Sequence, residues 1–281
     1  MYTTLISATE LSAHIHDPQW VILDCRHDLM DTLAGQAAYD SGHLPDARFV
    51  HLDQRLSGNK NDSNGIFRGR HPLPEKDTFI QTLRSLGISD DTQVVVYDAQ
   101  GGMFAARLWW MLRWVGHAAV AVLDGGISAW TAQGHALETQ VPVPVAGSIA
   151  GHASLVSQVN VADVLVNIES AEYTLVDARA ADRYRGENET IDPVGGHIPG
   201  AINRFFKDNL QANGHFKSAE QLRAEWSALI VDSNKAIMQC GSGVTACHNL
   251  LALEVAGLSG AALYPGSWSE WCADSARPLA R

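Results

Sequence analysis

Short apolar runs alternate with longer amphipathic stretches along the whole chain. The runs at 20–24, 93–97, 119–123, 174–177, 235–239 and 261–264 carry almost no polar residues, which predicts strands buried on both faces. Segments 76–86, 104–116, 161–169, 218–229 and 244–256 carry apolar residues at helical spacing. Ser218 with Gln221 forms a capping-box signature, and Ser7 with Glu10 forms another near the N-terminus. Alternating strands and helices predict an α/β fold with a mainly parallel sheet flanked by helices. Ligands of such sheets bind at the carboxyl ends of the strands.

The pattern occurs twice. Val21-Ile22-Leu23-Asp24-Cys25-Arg26 matches Thr174-Leu175-Val176-Asp177-Ala178-Arg179, and Gly42-His43-Leu44-Pro45-Asp46-Ala47 matches Gly196-His197-Ile198-Pro199-Gly200-Ala201. Val94-Val95-Val96-Tyr97-Asp98 matches Ala236-Ile237-Met238-Gln239-Cys240, and Leu123-Asp124-Gly125 with Trp130 matches Tyr264-Pro265-Gly266 with Trp271. The order is kept and the spacing drifts by small steps, as loop insertions produce; this is a duplicated unit. Between the halves, Val141-Pro142-Val143-Pro144 followed by small residues reads as an extended tether. We expect a first domain over 1–138, a linker over 139–152 and a second domain over 153–281.

A length of 281 residues suits two domains of ordinary size, and 46% hydrophobic with 18% charged residues is the composition of a globular protein. The formal net charge of −11 disfavours a polyanionic partner, so no nucleic-acid role is expected. No apolar run approaches the ~20 residues of a membrane helix, and the N-terminal residues lack a leader pattern. Four cysteines form no C-x-x-C pair, and twelve histidines show no zinc spacing. We expect a cytoplasmic, reduced protein with no membrane association, no metal and no cofactor.

The segment richest in chemistry is Cys240-Gly241-Ser242-Gly243-Val244-Thr245-Ala246-Cys247. A cysteine ends an apolar strand, glycines follow, and a helix begins near Val244 or Thr245. Successive backbone N–H groups in such a turn point inward, and the helix N-terminus adds partial positive charge, so the loop can cradle an anion. A thiolate at its centre is favoured, as is a persulfide anion formed on it. The alternative is a buried structural cysteine, the reading given to Cys25, Cys247 and Cys272. Cysteine phosphatase and arsenate reductase loops have the form Cys-x5-Arg; here the matching position is Ala246, so the phosphate clamp is missing.

The paired Asp-x-Arg, the paired Gly-His-(Leu/Ile)-Pro-x-Ala, the Cys-Gly-Ser-Gly-Val-Thr-Ala loop and the C-terminal Gly-Ser-Trp-Ser-Glu-Trp together resemble the two-domain rhodanese family, over nearly the whole chain. The resemblance implies two tandem rhodanese-like domains, the second catalytic and the first not. Asp98 stands in the first half where Cys240 stands in the second, and a carboxylate carries no transferable sulfur. It implies a sulfurtransferase in which Cys240 takes a sulfur from a small-molecule donor and passes it to a thiol, a thioredoxin-like protein or cyanide. The neutral Gly241 and Ser242 resemble the mercaptopyruvate branch; thiosulfate enzymes typically carry basic residues there, which suits a dianion. The same branch implies a catalytic set of Ser242, His71 and Asp53, joining the domains across the cleft between them. Most of the tryptophans are expected to pack in the core or at the domain interface, with Trp268 and Trp271 as candidates to wall the cleft. Arg183 matches the family arginine that takes the donor carboxylate, beside amides of Gly241, Gly243, Val244 and Thr245. A second arginine is often found a few residues later. Here the chain reads Glu187-Asn188-Glu189-Thr190-Ile191-Asp192-Pro193; Arg107 is a candidate replacement, with an ion pair at the domain interface as the role favoured for it. Asp24, Arg26, Asp177, Arg179, His43 and His197 are expected to be structural. Two rivals stay open: the same chemistry with thiosulfate, and a persulfide carrier that turns over small donors poorly.

Overall fold

The computed structural model describes all residues, 1–281. They fall into two compact units. Unit 1 comprises Met1–Ser57, Pro74–Leu155 and Gln211–Phe216; unit 2 comprises Gly58–Leu73, Val156–Leu210 and Lys217–Arg281. Each unit therefore takes a short segment from the other half of the sequence.

Unit 1 holds five parallel strands: β1 (Leu5–Ile6), β2 (Trp20–Asp24), β3 (Arg48–Phe49), β4 (Gln93–Tyr97) and β5 (Val120–Leu123), in the order β1-β5-β4-β2-β3. Unit 2 repeats the plan with β6 (Ser157–Gln158), β7 (Thr174–Asp177), β8 (Ile202–Asn203), β9 (Ala236–Gln239) and β10 (Ala262–Leu263), ordered β6-β10-β9-β7-β8 and again parallel throughout. The order is identical position by position, so the duplication read in the sequence is a duplication of topology. The central strands β4 and β9 are buried at every residue, which is why they read as unbroken apolar runs.

Helices cover the sheets. In unit 1, Ala105–Trp114 buries nine of its ten residues, among them Trp109 and Trp110, which explains a helix that is apolar on nearly every side. In unit 2, Ala246–Val255 is also buried nearly all round, while Ala219–Ser227 buries Leu222 and Trp226. Ser218 and Gln221 form the reciprocal capping box, and Ser7 and Glu10 form theirs.

The repeated motifs have one structural job in both units. The Arg26 guanidinium donates to both oxygens of Asp24 and, through Nη2, to the Gly42 carbonyl at 2.7 Å. Arg179 does the same to Asp177 and to the Gly196 carbonyl, also at 2.7 Å. His43 stacks on Tyr39 at 3.9 Å and His197 on Tyr184 at 3.8 Å. These buried ion pairs tie the β2 and β7 carboxyl ends to the following turns, satisfying charges that would otherwise be costly to bury.

Candidate active site

The site is built where β9 ends. Cys240 is buried at 2% exposure. Its backbone N–H donates to Ser267 Oγ at 3.1 Å, and its carbonyl accepts from the Trp268 amide at 3.0 Å. The Gly241 carbonyl accepts from the Ser269 amide at 2.9 Å. The Gly-Ser-Trp-Ser segment thus braces the loop from behind. Ser267 holds a left-handed φ of 53° to do so, a conformation costly for a non-glycine residue. Gly243 has φ 74°, and a Cβ there would lie 2.3 Å from the Pro265 carbonyl oxygen, so only glycine fits. Cys247 donates through Sγ to the Gly243 carbonyl at 3.4 Å, closing the turn ahead of the helix that starts at Ala246.

The corresponding loop of unit 1 holds an anion. The Asp98 carboxylate accepts from the amides of Gln100, Gly102, Phe104 and Ala105 at 2.7–3.0 Å. The carboxylate sits where successive amides converge at the start of a helix. Burial still pushes the Asp98 carboxyl above its ordinary range, against the opposing pull of those amides.

Segment 58–73 brings further groups into unit 2. A tight turn at Asp62–Ile66, closed by the Asn61–Phe67 bridge, leads into Gly69, Arg70 and His71. The Arg70 amide donates to Ser269 Oγ at 3.1 Å, which fastens the segment to the same brace. His71 Nδ1 and Ser242 Oγ share a hydrogen bond of 2.8 Å, both side chains being buried. This pair forms inside unit 2 because segment 58–73 folds there.

Arg183 follows β7 on the short helix Ala181–Tyr184. Its Nε and Nη2 donate to Glu189 at 2.8–3.1 Å, and Nη2 lies 3.4 Å from Asp192 Oδ2. Arg70 Nη1 pairs with the other oxygen of Asp192. Glu189 also stands 3.6 Å from Arg179 Nη1. Three arginines and the carboxylates of Asp177, Glu189 and Asp192 thus alternate in one partly buried network. Burial depresses the Arg70 guanidinium below the ordinary arginine value, Arg183 acts in the same sense, and Cys240 and Glu189 oppose it.

The segment without a second arginine supplies two anchoring carboxylates instead, Glu189 and Asp192. Two candidate roles change. The arginine beside the loop is Arg70, while Arg107 is fully buried in unit 1 and donates to the Leu56 carbonyl at 3.4 Å. Trp268 and Trp271 wall no opening: both are fully buried in the unit 2 core, Trp268 beneath Arg179 with its ring 4.8 Å away. Arg70 was the residue missed; its one sequence signal is its place directly before His71.

Asp53 belongs to unit 1. It lies in the first turn of the short helix Leu52–Arg55, which His51 caps, and its carboxylate is 4.0 Å from His27 Nε2. His27, His51 and Asp53 offer ligand atoms within 4.8 Å of one another, the spacing of a metal centre. His51 already accepts from the Asp53 amide at Nδ1 and donates to the Thr32 carbonyl from Nε2. A metal would have to break one of these bonds, so the trio does not fit a preformed centre.

The rhodanese-like domain family matches residues 7–133 and 160–274. The chain belongs to the rhodanese family. It is 42% identical over 279 residues, 98% of this chain and 97% of the other, to a Pseudomonas aeruginosa protein named "Probable 3-mercaptopyruvate sulfurtransferase". It is 36% identical over 283 residues to the thiosulfate sulfurtransferase of Bos taurus, covering 96% of this chain and 92% of the other. Among solved structures, SseA from Escherichia coli, described as having the rhodanese fold and the mechanism of 3-mercaptopyruvate sulfurtransferases, superposes with TM-score 0.82 at 32% identity, covering 95% of this chain and all of that one. The two rhodanese domains of this chain are the two five-stranded units described above. No helix is long and apolar enough to cross a membrane.

Proposed function

We propose that this rhodanese is a sulfurtransferase that takes sulfur from 3-mercaptopyruvate onto Cys240 and passes it to a thiol, a thioredoxin-like protein or cyanide. The observation that carries the reading is the buried Cys240 at the end of β9, in a braced glycine loop with arginine beside it. Its relatives over the whole chain bear the two sulfurtransferase names.

The Cys240 thiolate attacks the substrate sulfur, forming an S–S bond. The C–S bond breaks and its electron pair passes to carbon, giving the enolate of pyruvate, which is protonated at that carbon. Ser242 and His71 carry the proton of the substrate thiol, a role supported by their shared hydrogen bond. The Cys240 persulfide rests among the loop amides, in the position the Asp98 carboxylate takes in unit 1. An acceptor thiolate then attacks the outer sulfur and releases Cys240 as thiolate. Arg183 takes the donor carboxylate with the nitrogen that Glu189 and Asp192 leave open. Asp53 is the third member of the set that the family resemblance implies. The four free cysteines suit a reducing compartment such as the cytoplasm.

Thiosulfate is the competing donor, favoured by the name of the 36% relative. The neutral Gly241 and Ser242 favour mercaptopyruvate. Steady-state turnover with each donor, run with a Cys240→Ser control, tests the reading. We expect higher kcat/KM on mercaptopyruvate and none in the control. Preference for thiosulfate would reverse the donor, and activity surviving in Cys240→Ser would remove the nucleophile.

A further inference from the structure

We infer that Arg70 is a donor-binding and donor-selecting residue, occupying the side-chain space of position 241 and supplying the positive charge that the loop itself lacks. The inference rests on the sulfurtransferase reading above and names the group that sets its donor.

A Cβ built on Gly241 would lie 2.8 Å from Arg70 Nη2, and 3.8 Å from both Arg183 Nη1 and Nη2. The Gly241 backbone has no left-handed φ, so its conformation does not exclude a side chain. What occupies the space is the end of the Arg70 side chain. Two guanidinium groups therefore converge on the side-chain position of the residue next to the nucleophile, one from segment 58–73 and one from the helix after β7.

Their geometry leaves donors for a ligand. Asp192 takes Arg70 Nη1 and reaches Arg183 Nη2, while Glu189 takes Arg183 Nε and Nη2. Arg70 Nη2 and Arg183 Nη1 remain on the loop side. Like charges this close repel; a carboxylate shared between them relieves that, and the buried Asp192 behind them keeps both in place. A donor whose carboxylate is set back from its sulfur can rest on these two nitrogens with its sulfur at Cys240. Thiosulfate carries its charge on the attacked sulfur itself and on the oxygens of the adjoining sulfonyl sulfur, which leaves as sulfite, and so gains most from a cation on the loop itself. Arg70 and a basic residue 241 are thus alternatives for one space.

The test compares wild type, Arg70→Ala, Arg70→Lys, Gly241→Arg and the Arg70→Ala/Gly241→Arg double variant, with thermal unfolding to verify folding. Arg70→Ala should raise KM for mercaptopyruvate roughly tenfold or more, with a smaller change in kcat. Arg70→Lys should recover part of the loss. Gly241→Arg alone should impair both donors, and the double variant should shift the thiosulfate-to-mercaptopyruvate ratio of kcat/KM upward from wild type. A second readout needs no sulfur transfer: alkylation of Cys240 by iodoacetate and by neutral iodoacetamide, in which an S–C bond forms and iodide leaves. The iodoacetate-to-iodoacetamide rate ratio should fall in Arg70→Ala. Wild-type KM and a wild-type alkylation ratio in folded Arg70→Ala would overturn the inference while leaving the sulfurtransferase intact. Absence of turnover in wild type with a falling alkylation ratio would instead overturn the function and keep Arg70 as an anion-binding residue.

Discussion

His71 and Ser242 act as a pair if their 2.8 Å hydrogen bond carries a proton during turnover. Removing either end breaks the same relay, so His71→Gln and Ser242→Ala should each lower kcat on the order of 10²-fold, and the double variant should lose little more. Stopped-flow measurement of pyruvate release reads this directly; additive losses would contradict a shared relay. Asp53→Asn separates a three-member set from a two-member one. A loss equal to that of His71→Gln supports Asp53, and wild-type release removes it. Gly243 is constrained differently: its left-handed φ and the 2.3 Å approach of a Cβ to Pro265 oxygen leave no room for a methyl. Gly243→Ala should cost about 1–3 kcal/mol in unfolding free energy and disturb the loop as well.

At the scale of elements, the capping box of helix Ala219–Ser227 offers a clean control. Ser218 accepts from the Gln221 amide and Gln221 answers to the Ser218 amide. Ser218→Ala should cost about 1 kcal/mol by denaturant titration and leave turnover untouched. The long elements were legible because buried parallel strands such as Gln93–Tyr97 and Ala236–Gln239 are apolar at nearly every position, and because the flanking helices are long enough to show a period. The edge strands were not. Arg48–Phe49, Ser157–Gln158 and Ile202–Asn203 each span two residues and carry polar groups at exposed or half-buried positions, so no pattern marks them. Arg70 was hidden for a similar reason. It lies in a polar, glycine-containing loop whose burial comes from folding against Gly266–Ser269, far away in sequence. Cys240, Ser242 and Arg183 could be picked out because local motifs surround them.

Across the whole molecule, the same framework of buried Asp–Arg pairs is used twice, with Asp98 held by four loop amides in one unit and Cys240 at the matching position in the other. Burial of a histidine outside this framework also bears on pH. Burial depresses the imidazole of His117 below its ordinary value of 6.5. The unfolded chain therefore takes up a proton that the folded chain resists, and stability falls as pH drops below 6.5 through that window. Denaturation midpoints at pH 7.5 and 5.5 should show this loss, and it should shrink in His117→Gln; an equal loss in both proteins would assign it elsewhere. The central claim, that Cys240 carries the sulfur, is tested most directly by intact-protein mass spectrometry after brief exposure to 3-mercaptopyruvate and removal of excess donor. The account predicts one added sulfur atom on wild type, lost on addition of a thiol, and none on Cys240→Ser. An unchanged wild-type mass, or the same gain in Cys240→Ser, would contradict it.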